Sequence, residues 1–311
     1  RVFTFARDRM GEKPLYYGWQ QNVFLFGSEL KSLRSHPSFG HEIDRNVLSI
    51  YLQYGYIPSP YSIYKGINKL PPGSFLQLAI DQSPTELPPP TSYWSIQQAV
   101  EAGKRSPFAG SDEEAIEELE HRLKEAIALQ QISDVPLGAL LSGGVDSSMV
   151  AALMQDQVSQ PIKTFTIGFE EKDYNEAEHA KAVAKYLGTD HTELYLTTKE
   201  AMQVIPTLST VYDEPFGDAS SIPTCMLSQL TRRHVTVSLS GDGGDELFGG
   251  YRHYWRLPKL WGRLNLIPSR WWRFLACFLR IMPKYVFDAM IEPMVTTQKK
   301  ICRDRFLQFA N

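Results

Sequence analysis

The stretch Val135-Pro136-Leu137-Gly138-Ala139-Leu140-Leu141-Ser142-Gly143-Gly144-Val145-Asp146-Ser147-Ser148 decides the fold. It begins as an apolar run of strand length, breaks at two glycines, and passes into Met149-Val150-Ala151-Ala152-Leu153-Met154, which reads as a helix. A strand, a tight glycine turn and a helix start together make an anion site. The glycines let the backbone approach a ligand, the free N–H groups of the first helical turn point at it, and the helix dipole favours negative charge. Ser142, Ser147 and Ser148 add hydroxyl donors, and Asp146 adds a carboxylate. That carboxylate would repel a bare phosphate, so a bridging cation such as Mg²⁺ is implied. The plain alternative is a Ser/Gly turn that only caps an ordinary helix.

From Val135 onward the chain alternates. Strand-like runs are Gly138–Leu141, Thr164–Phe169, His191–Leu196 and Val235–Leu239. Helix-like segments fall between them at Ser147–Gln157, Asn175–Leu187, Thr198–Ser209 and Ser221–Arg233. Such alternation predicts an α/β fold, a parallel sheet with helices on both faces. Ligands of these sheets sit at the carboxyl ends of the strands, at a topological switch point. The loops richest in chemistry follow Leu141, Phe169 and Leu239.

The last of these is Ser240-Gly241-Asp242-Gly243-Gly244-Asp245-Glu246-Leu247-Phe248-Gly249-Gly250-Tyr251, with five glycines and three acidic residues in twelve positions. Asp245 could share a Mg²⁺ with Asp146, two carboxylates and phosphate oxygens being a common donor set for that ion. An acidic turn or a calcium loop is the plainer reading, although the ligand spacing of an EF-hand is absent. The first loop is also not the lysine-bearing phosphate loop of the ATPases, because no lysine follows its glycines.

Upstream, Val2–Phe5, Leu15–Trp19, Val23–Phe26 and Ser74–Leu78 are β-favouring runs split by turn residues, and Asn46–Tyr54 has helical spacing. Residues 1–80 therefore read as a β-rich piece without a complete core of its own. Residues 81–110, with Pro84, Pro88, Pro89, Pro90 and Pro107, read as a linker. Ser111 and Glu114 then form a predicted capping box that opens a helix and a second domain, 111–311.

A net charge of -3 leaves no basic footprint for nucleic acid. Cys225, Cys277 and Cys302 are widely spaced, which argues for a reducing, cytoplasmic setting and against structural zinc. No run is long and apolar enough to span a membrane, and the stretch from Leu260 to Phe287 is interrupted by arginines. The chain opens at Arg1 without a leader pattern and starts and stops within structured-looking segments, so an internal fragment is expected. The histidines show no metal-ligand spacing.

The S-G-G-x-D-S-S form resembles the pyrophosphate loop of ATP pyrophosphatases. Taken with T-F-T-I-G-F, D-E-P-F-G-D-A-S-S-I-P-T and L-S-G-D-G-G-D-E-L-F-G-G-Y in that order, it resembles the synthetase domain of glutamine-hydrolysing asparagine synthetases. The stretches F-A-R-D-R-M-G-E-K-P-L-Y-Y-G and G-Y-I-P-S-P-Y-S-I-Y-K-G-I-N-K-L-P-P-G are similar to the last part of that family's glutaminase domain, an Ntn-type amidotransferase. The resemblance implies an adenine nucleotide alpha hydrolase-like sheet and ATP-dependent amidation of aspartate by ammonia from glutamine. It implies that Ser142, Gly143, Gly144, Asp146, Ser147 and Ser148 hold the pyrophosphate of ATP. Leu140, Leu141 and Ile167 would frame the adenine and ribose, and Ser240 and Gly241 would touch the nucleotide. Asp146 and Asp245 would hold Mg²⁺. Asp242 would serve formation of the aspartyl-adenylate, at a position where many members carry Glu. Expected partners are aspartate, ATP and glutamine or ammonia, with no nucleic acid or membrane, and a homodimer is one candidate assembly.

The departures are also plain. The family's glutaminase nucleophile is an N-terminal cysteine, whereas residue 1 here is Arg1. A later lysine of the family would lie beyond Asn311, and Lys284, Lys299 and Lys300 sit in no matching motif. Residues 1–311 alone are therefore expected to bind Mg·ATP at best and not to make asparagine from glutamine. Other readings are a β-lactam-forming or peptide-cyclising relative, an NAD or GMP synthetase, and a nucleotide-binding module without turnover. The glutaminase-like segment weighs against the cyclases. Glu170, Asn175 and Glu176 are further candidates for nucleotide or substrate contact.

Overall fold

The computed structural model describes residues 1–79, 87–169 and 176–264. The chain splits into two compact units, Arg1–Gly241 and Asp242–Asn311. The first unit opens with strands β1 (Val2–Ala6), β2 (Tyr16–Gln20) and β3 (Val23–Gly27) and helices α1 (Leu30–Arg34) and α2 (Arg45–Tyr54). Strands β4 (Asn68–Lys69), β5 (Ser74–Ala79) and β6 (Thr91–Ser92) follow. They build two antiparallel sheets of three strands, in the orders β1-β5-β6 and β3-β2-β4. Helix α2 starts where the Asp44 carboxylate accepts from the N–H groups of Asn46 and Val47, and stops at Gly55, whose φ of 78° suits glycine.

This front piece buries a hydrophobic cluster that its strand pattern does not announce, while Val2, Phe3 and Phe26 on its strands stay exposed. Leu30, Leu33, Phe39, Val47, Ile57, Ile63 and Ile67 bury together with Tyr16 and Leu25. Phe39, Ile57, Ile63 and Ile67 come from segments outside the named strands and helices, so no period of two or 3.6 announces them. Within the span read as a linker, β6 adds to the front sheet and helix α3 (Ile96–Arg105) forms behind an N-cap at Ser95. Helix α3 buries no residue, which is why the apolar pattern missed it.

Helix α4 (Asp112–Gln130) begins with the expected capping box. The Ser111 hydroxyl accepts from the Glu114 N–H while the Glu114 carboxylate accepts from the Ser111 N–H. Strand β7 (Leu137–Leu140), helix α5 (Val145–Asp156), strand β8 (Lys163–Phe169), helix α6 (Ala177–Leu187) and strand β9 (Asp190–Leu196) then alternate. Helices α7 (Thr198–Val211) and α8 (Ser221–Arg232) lead to strand β10 (Val237–Leu239).

The sheet is parallel, in the order β10-β7-β8-β9. The chain walks outward through β7, β8 and β9, then crosses back so that β10 pairs with the other side of β7. Right-handed crossovers place α5 and α6 on one face and return α7 and α8 to the other. Strand β8, central and covered on both faces, buries Thr164, Phe165 and Thr166. Ala151, Ala180 and Ala184 pack with Leu141 between α5 and α6, and Ile127, Leu153 and Met154 pack α4 and α5 near Ala139.

In the second unit the described residues form helices α9 (Gly244–Phe248) and α10 (Arg252–Leu264). Cys277, Cys302, Lys284, Lys299, Lys300 and most of the arginine-interrupted apolar stretch lie outside the described residues, as do Glu170 and Asn175. Among the described residues, no helix is long and apolar enough to cross a membrane.

Candidate nucleotide site

The order β10-β7-β8-β9 puts the switch point between β7 and β10: the chain leaves β7 toward β8 and β9 on one side and comes back to β10 on the other. At their carboxyl ends lie the Ser142–Ser148 loop and the Ser240-Gly241 turn. Leu140 closes β7, and Leu141 continues the ladder by donating its N–H to Phe165 O at 2.8 Å while staying buried. The chain then turns at Gly143, with φ of 81°. A Cβ there would lie 2.7 Å from the Ala180 N and the His179 Cβ, so the loop is seated on the first turn of α6. Both the left-handed backbone and the contact require glycine.

Hydrogen bonds between its serines shape the loop. Ser147 Oγ accepts from the Ser142 N–H at 3.1 Å, lies 2.8 Å from Ser142 Oγ, and donates to Gly144 O at 3.3 Å. Ser142 Oγ accepts from the Gly144 N–H at 3.2 Å. Gly144 is the N-cap of α5 and has no side chain to satisfy the N–H groups of the first turn, which leaves them to a ligand. The Ser148 hydroxyl is buried and has no hydrogen-bond partner among the described residues. Asp146 lies in the same first turn.

Gly241 brings β10 to this loop. A Cβ on it would stand 2.7 Å from the Ser147 N and 3.0 Å from the Asp146 carbonyl carbon, so the backbone after β10 runs directly against the start of α5. Ile167 sits on β8, half-buried, two residues before that strand ends. The structure thus gathers Leu140, Leu141, the serine and glycine loop, Asp146 and Gly241 at one point of the first unit.

Asp242 and Asp245 belong to the second unit. There Gly243 precedes α9 with φ of 90°, and Asp245 and Glu246 occupy the first turn, where the helix dipole favours carboxylates. Gly249 ends the helix with φ of 68°, and the Gly250 N–H donates to Asp245 O at 3.0 Å. The Tyr251 hydroxyl donates to Glu246 at 2.7 Å, which pushes its pKa up to about 12. The Trp255 indole N–H donates to Gly249 O at 2.9 Å.

Other candidates fall elsewhere. His191 lies at the start of β9, the opposite end of the sheet from the loops. Its Nδ1 is 2.8 Å from Thr164 Oγ1, and burial lowers its pKa. Glu176 is the exposed N-cap of α6. Cys225 is buried in α8, its sulfur receiving the Gln229 amide at 3.8 Å. Among the described residues, no group of three or more His, Cys, Asp or Glu converges as a metal cage.

Sequence reasoning missed His179, against which Gly143 rests, because nothing in the spacing links residues 143 and 179. It also passed over Asp213 and Glu214. Both lie within the quoted D-E-P-F-G-D stretch, but their side chains turn to the front piece rather than to the nucleotide loop.

Comparison with known proteins bears on this arrangement. The family model described as "Asparagine synthase" matches residues 118–308, and the one described as "Glutamine amidotransferase domain" matches residues 1–94. A putative glutamine-hydrolyzing asparagine synthetase 2 of Methanocaldococcus jannaschii is 39% identical over 255 residues, covering 79% of this chain and 46% of that protein. Glutamine-hydrolyzing asparagine synthetase 1 of Bacillus subtilis is 31% identical over 283 residues, covering 91% of this chain and 43% of that protein. A protein named Amidase chry2, from Gibberella zeae, is 30% identical over 262 residues, covering 79% of this chain and 37% of that protein. The chain spans less than half the length of each of these relatives. The first model takes in more than half of the chain, from α4 through both glycine-rich loops, and the chain belongs to the asparagine synthase family.

Proposed function

We propose that this chain carries the ATP-binding part of an enzyme that converts aspartate to asparagine through a β-aspartyl-adenylate, with ammonia drawn from glutamine. The observation that carries the reading is the Ser142–Ser148 loop at the switch point, with uncapped helix N–H groups and Gly241 packed against it. A carboxylate is a poor electrophile because its carbon already shares delocalised negative charge. Transfer of AMP to the β-carboxylate makes a mixed anhydride and releases pyrophosphate; ammonia then attacks the carbonyl and AMP leaves. The chain's own part is to hold the phosphates with the α5 N–H groups and the serine hydroxyls, and to orient the two reactants.

In this reading Leu140, Leu141 and Ile167 frame the adenosine, Ser240 and Gly241 contact the nucleotide, and Asp242 serves the adenylation step. Asp146 and Asp245 would hold Mg²⁺, which would offset phosphate charge. Two carboxylates suit an ion that completes its shell with phosphate and water. We also infer the division into an amidotransferase piece at 1–80, a linker at 81–110 and a synthetase domain at 111–311, working in the cytoplasm.

The test uses residues 1–311 with ATP, Mg²⁺ and a panel of acceptors. Saturable ATP binding is expected, and any pyrophosphate release should depend on aspartate. Release that follows another carboxylic acid would replace the acceptor, and absence of ATP binding by the folded chain would end the proposal.

A further inference from the structure

Helix α1 is capped from a great distance in sequence. Its own N-cap residue, Glu29, makes no side-chain capping bond. Instead the Asp213 carboxylate accepts from the Leu30 N–H at 2.6 Å and the Lys31 N–H at 3.1 Å. Lys31 Nζ adds an ion pair to Asp213 at 3.7 Å and donates to Val211 O at 3.2 Å. Glu214, the next residue, accepts from the Ile63 N–H at 2.8 Å, pairs with Lys69 Nζ, and receives the Tyr16 hydroxyl at 3.5 Å. Burial, with Glu214 and Asp213 nearby, raises the Tyr16 pKa. The side chains of Asp213 and Glu214 are only 11% and 9% exposed. A third tie runs from the Gly217 N–H to Gly55 O at 2.7 Å, where the two glycine backbones touch.

All these groups lie in the first unit, yet they join two separate cores. The donors to the two carboxylates belong to the front piece, and Leu30 and Ile63 are part of its hydrophobic cluster. Asp213 and Glu214 themselves lie on the short segment between α7 and α8, which leads to β10 and so to Gly241. Buried N–H groups and a nearly buried lysine need these acceptors, because an unsatisfied donor in such a place costs more than the bond itself contributes.

We propose that Asp213 and Glu214 form a latch by which the parallel-sheet domain holds the front piece folded, so that the two cores open as one and separate when the carboxylates are removed. The latch is independent of which reaction the nucleotide site performs.

Residue-resolved hydrogen exchange on residues 1–311, at increasing sub-denaturing urea, tests it. In the unaltered chain the Leu30, Lys31 and Ile63 amides should open together with those of Ala139 and Phe165 in the parallel sheet. Separate opening there overturns the latch and needs no variant. Asp213→Asn should then lower protection at Leu30 and Lys31 by about tenfold or more, and Glu214→Gln should do the same at Ile63, as expected for lost charge-assisted bonds. Protection at Ala139 and Phe165 should hold, and ATP affinity with it. Equal loss in both cores would mark the pair as ordinary structural residues and overturn the proposal, as would unchanged protection at all three front amides. Lys69→Met, on the other side of the contact, should mimic Glu214→Gln at Ile63, and the two changes together should cost little more than either alone. Full additivity would overturn the Glu214 half.

Discussion

Two glycine-rich loops follow strands in this chain, and glycine serves them differently. In Ser142–Ser148 the space is already taken. Gly143 has a left-handed backbone and rests on the backbone of His179 and Ala180, and Gly241 brings a second strand end against the same helix start. In Asp242–Tyr251 only the turn into the helix is open, because a Cβ on Gly250, after the helix, would collide with the Asp245 carboxylate. Gly243 and Gly249 have positive φ, but a Cβ on Gly243 would meet nothing within 4 Å. The first loop is a packed turn at a helix start, the proposed seat for an anion, and the second is a pair of sharp turns around a short helix that begins with Asp245 and Glu246. A glycine motif in a sequence does not reveal which of the two it encodes.

Substitutions can break this comparison. The largest effect is expected from Gly143→Val, which adds strain at positive φ to a backbone collision and should weaken ATP binding by about 100-fold in a protein that still folds. Calorimetric titration would show it, and near-normal affinity would mean that the seat is merely structural. Next come Gly241→Ala and Asp146→Asn, each expected to weaken Mg·ATP by about tenfold, the first by pushing back the start of α5 and the second by removing a charged ligand. Only Asp146→Asn should reduce the dependence of affinity on Mg²⁺; unchanged dependence would remove Asp146 from the metal's ligands. Gly243→Ala should behave differently from both, costing about 1–2 kcal/mol of stability through its backbone conformation, without steric intrusion on any neighbour. The smallest effect is expected far from either loop: Ser111→Ala should cost about 1 kcal/mol through the lost cap of α4, read as a shift in the urea midpoint, and leave ATP affinity alone.

Local signals carried most of what could be read in advance. The capping box at Ser111 and Glu114 needs three residues of spacing, and the strand–turn–helix at Leu137–Asp156 needs about one repeat of apolar pattern, so both were legible. The switch point followed only as an expectation from alternation, since pairing order is set by which faces bury together and not by any single segment. The core of the front piece was illegible because Phe39, Ile57, Ile63 and Ile67 are single apolar residues in irregular chain. Asp213 and Glu214 illustrate the same limit for polar groups. Their value lies in donors at Leu30 and Ile63, and nothing local to Asp-Glu-Pro announces that one caps a helix and the other holds a loop amide in the front piece.

The pairing of β10 with β7 also has a consequence for how the chain is made. Strands β7, β8 and β9 follow one another closely and can pair while later residues are still emerging from the ribosome, because short loops close at little entropic cost. The other side of β7 must wait for Val237, which pairs with Leu137. Gly241 comes later still. The seam beside the proposed nucleotide seat is therefore among the last contacts of the parallel sheet to form, and a polypeptide halted before it has most of that sheet without the seam. Nucleotide affinity measured on chains halted at successive lengths should thus rise abruptly once residue 241 is free to fold, making the ligand a reporter of the closed sheet.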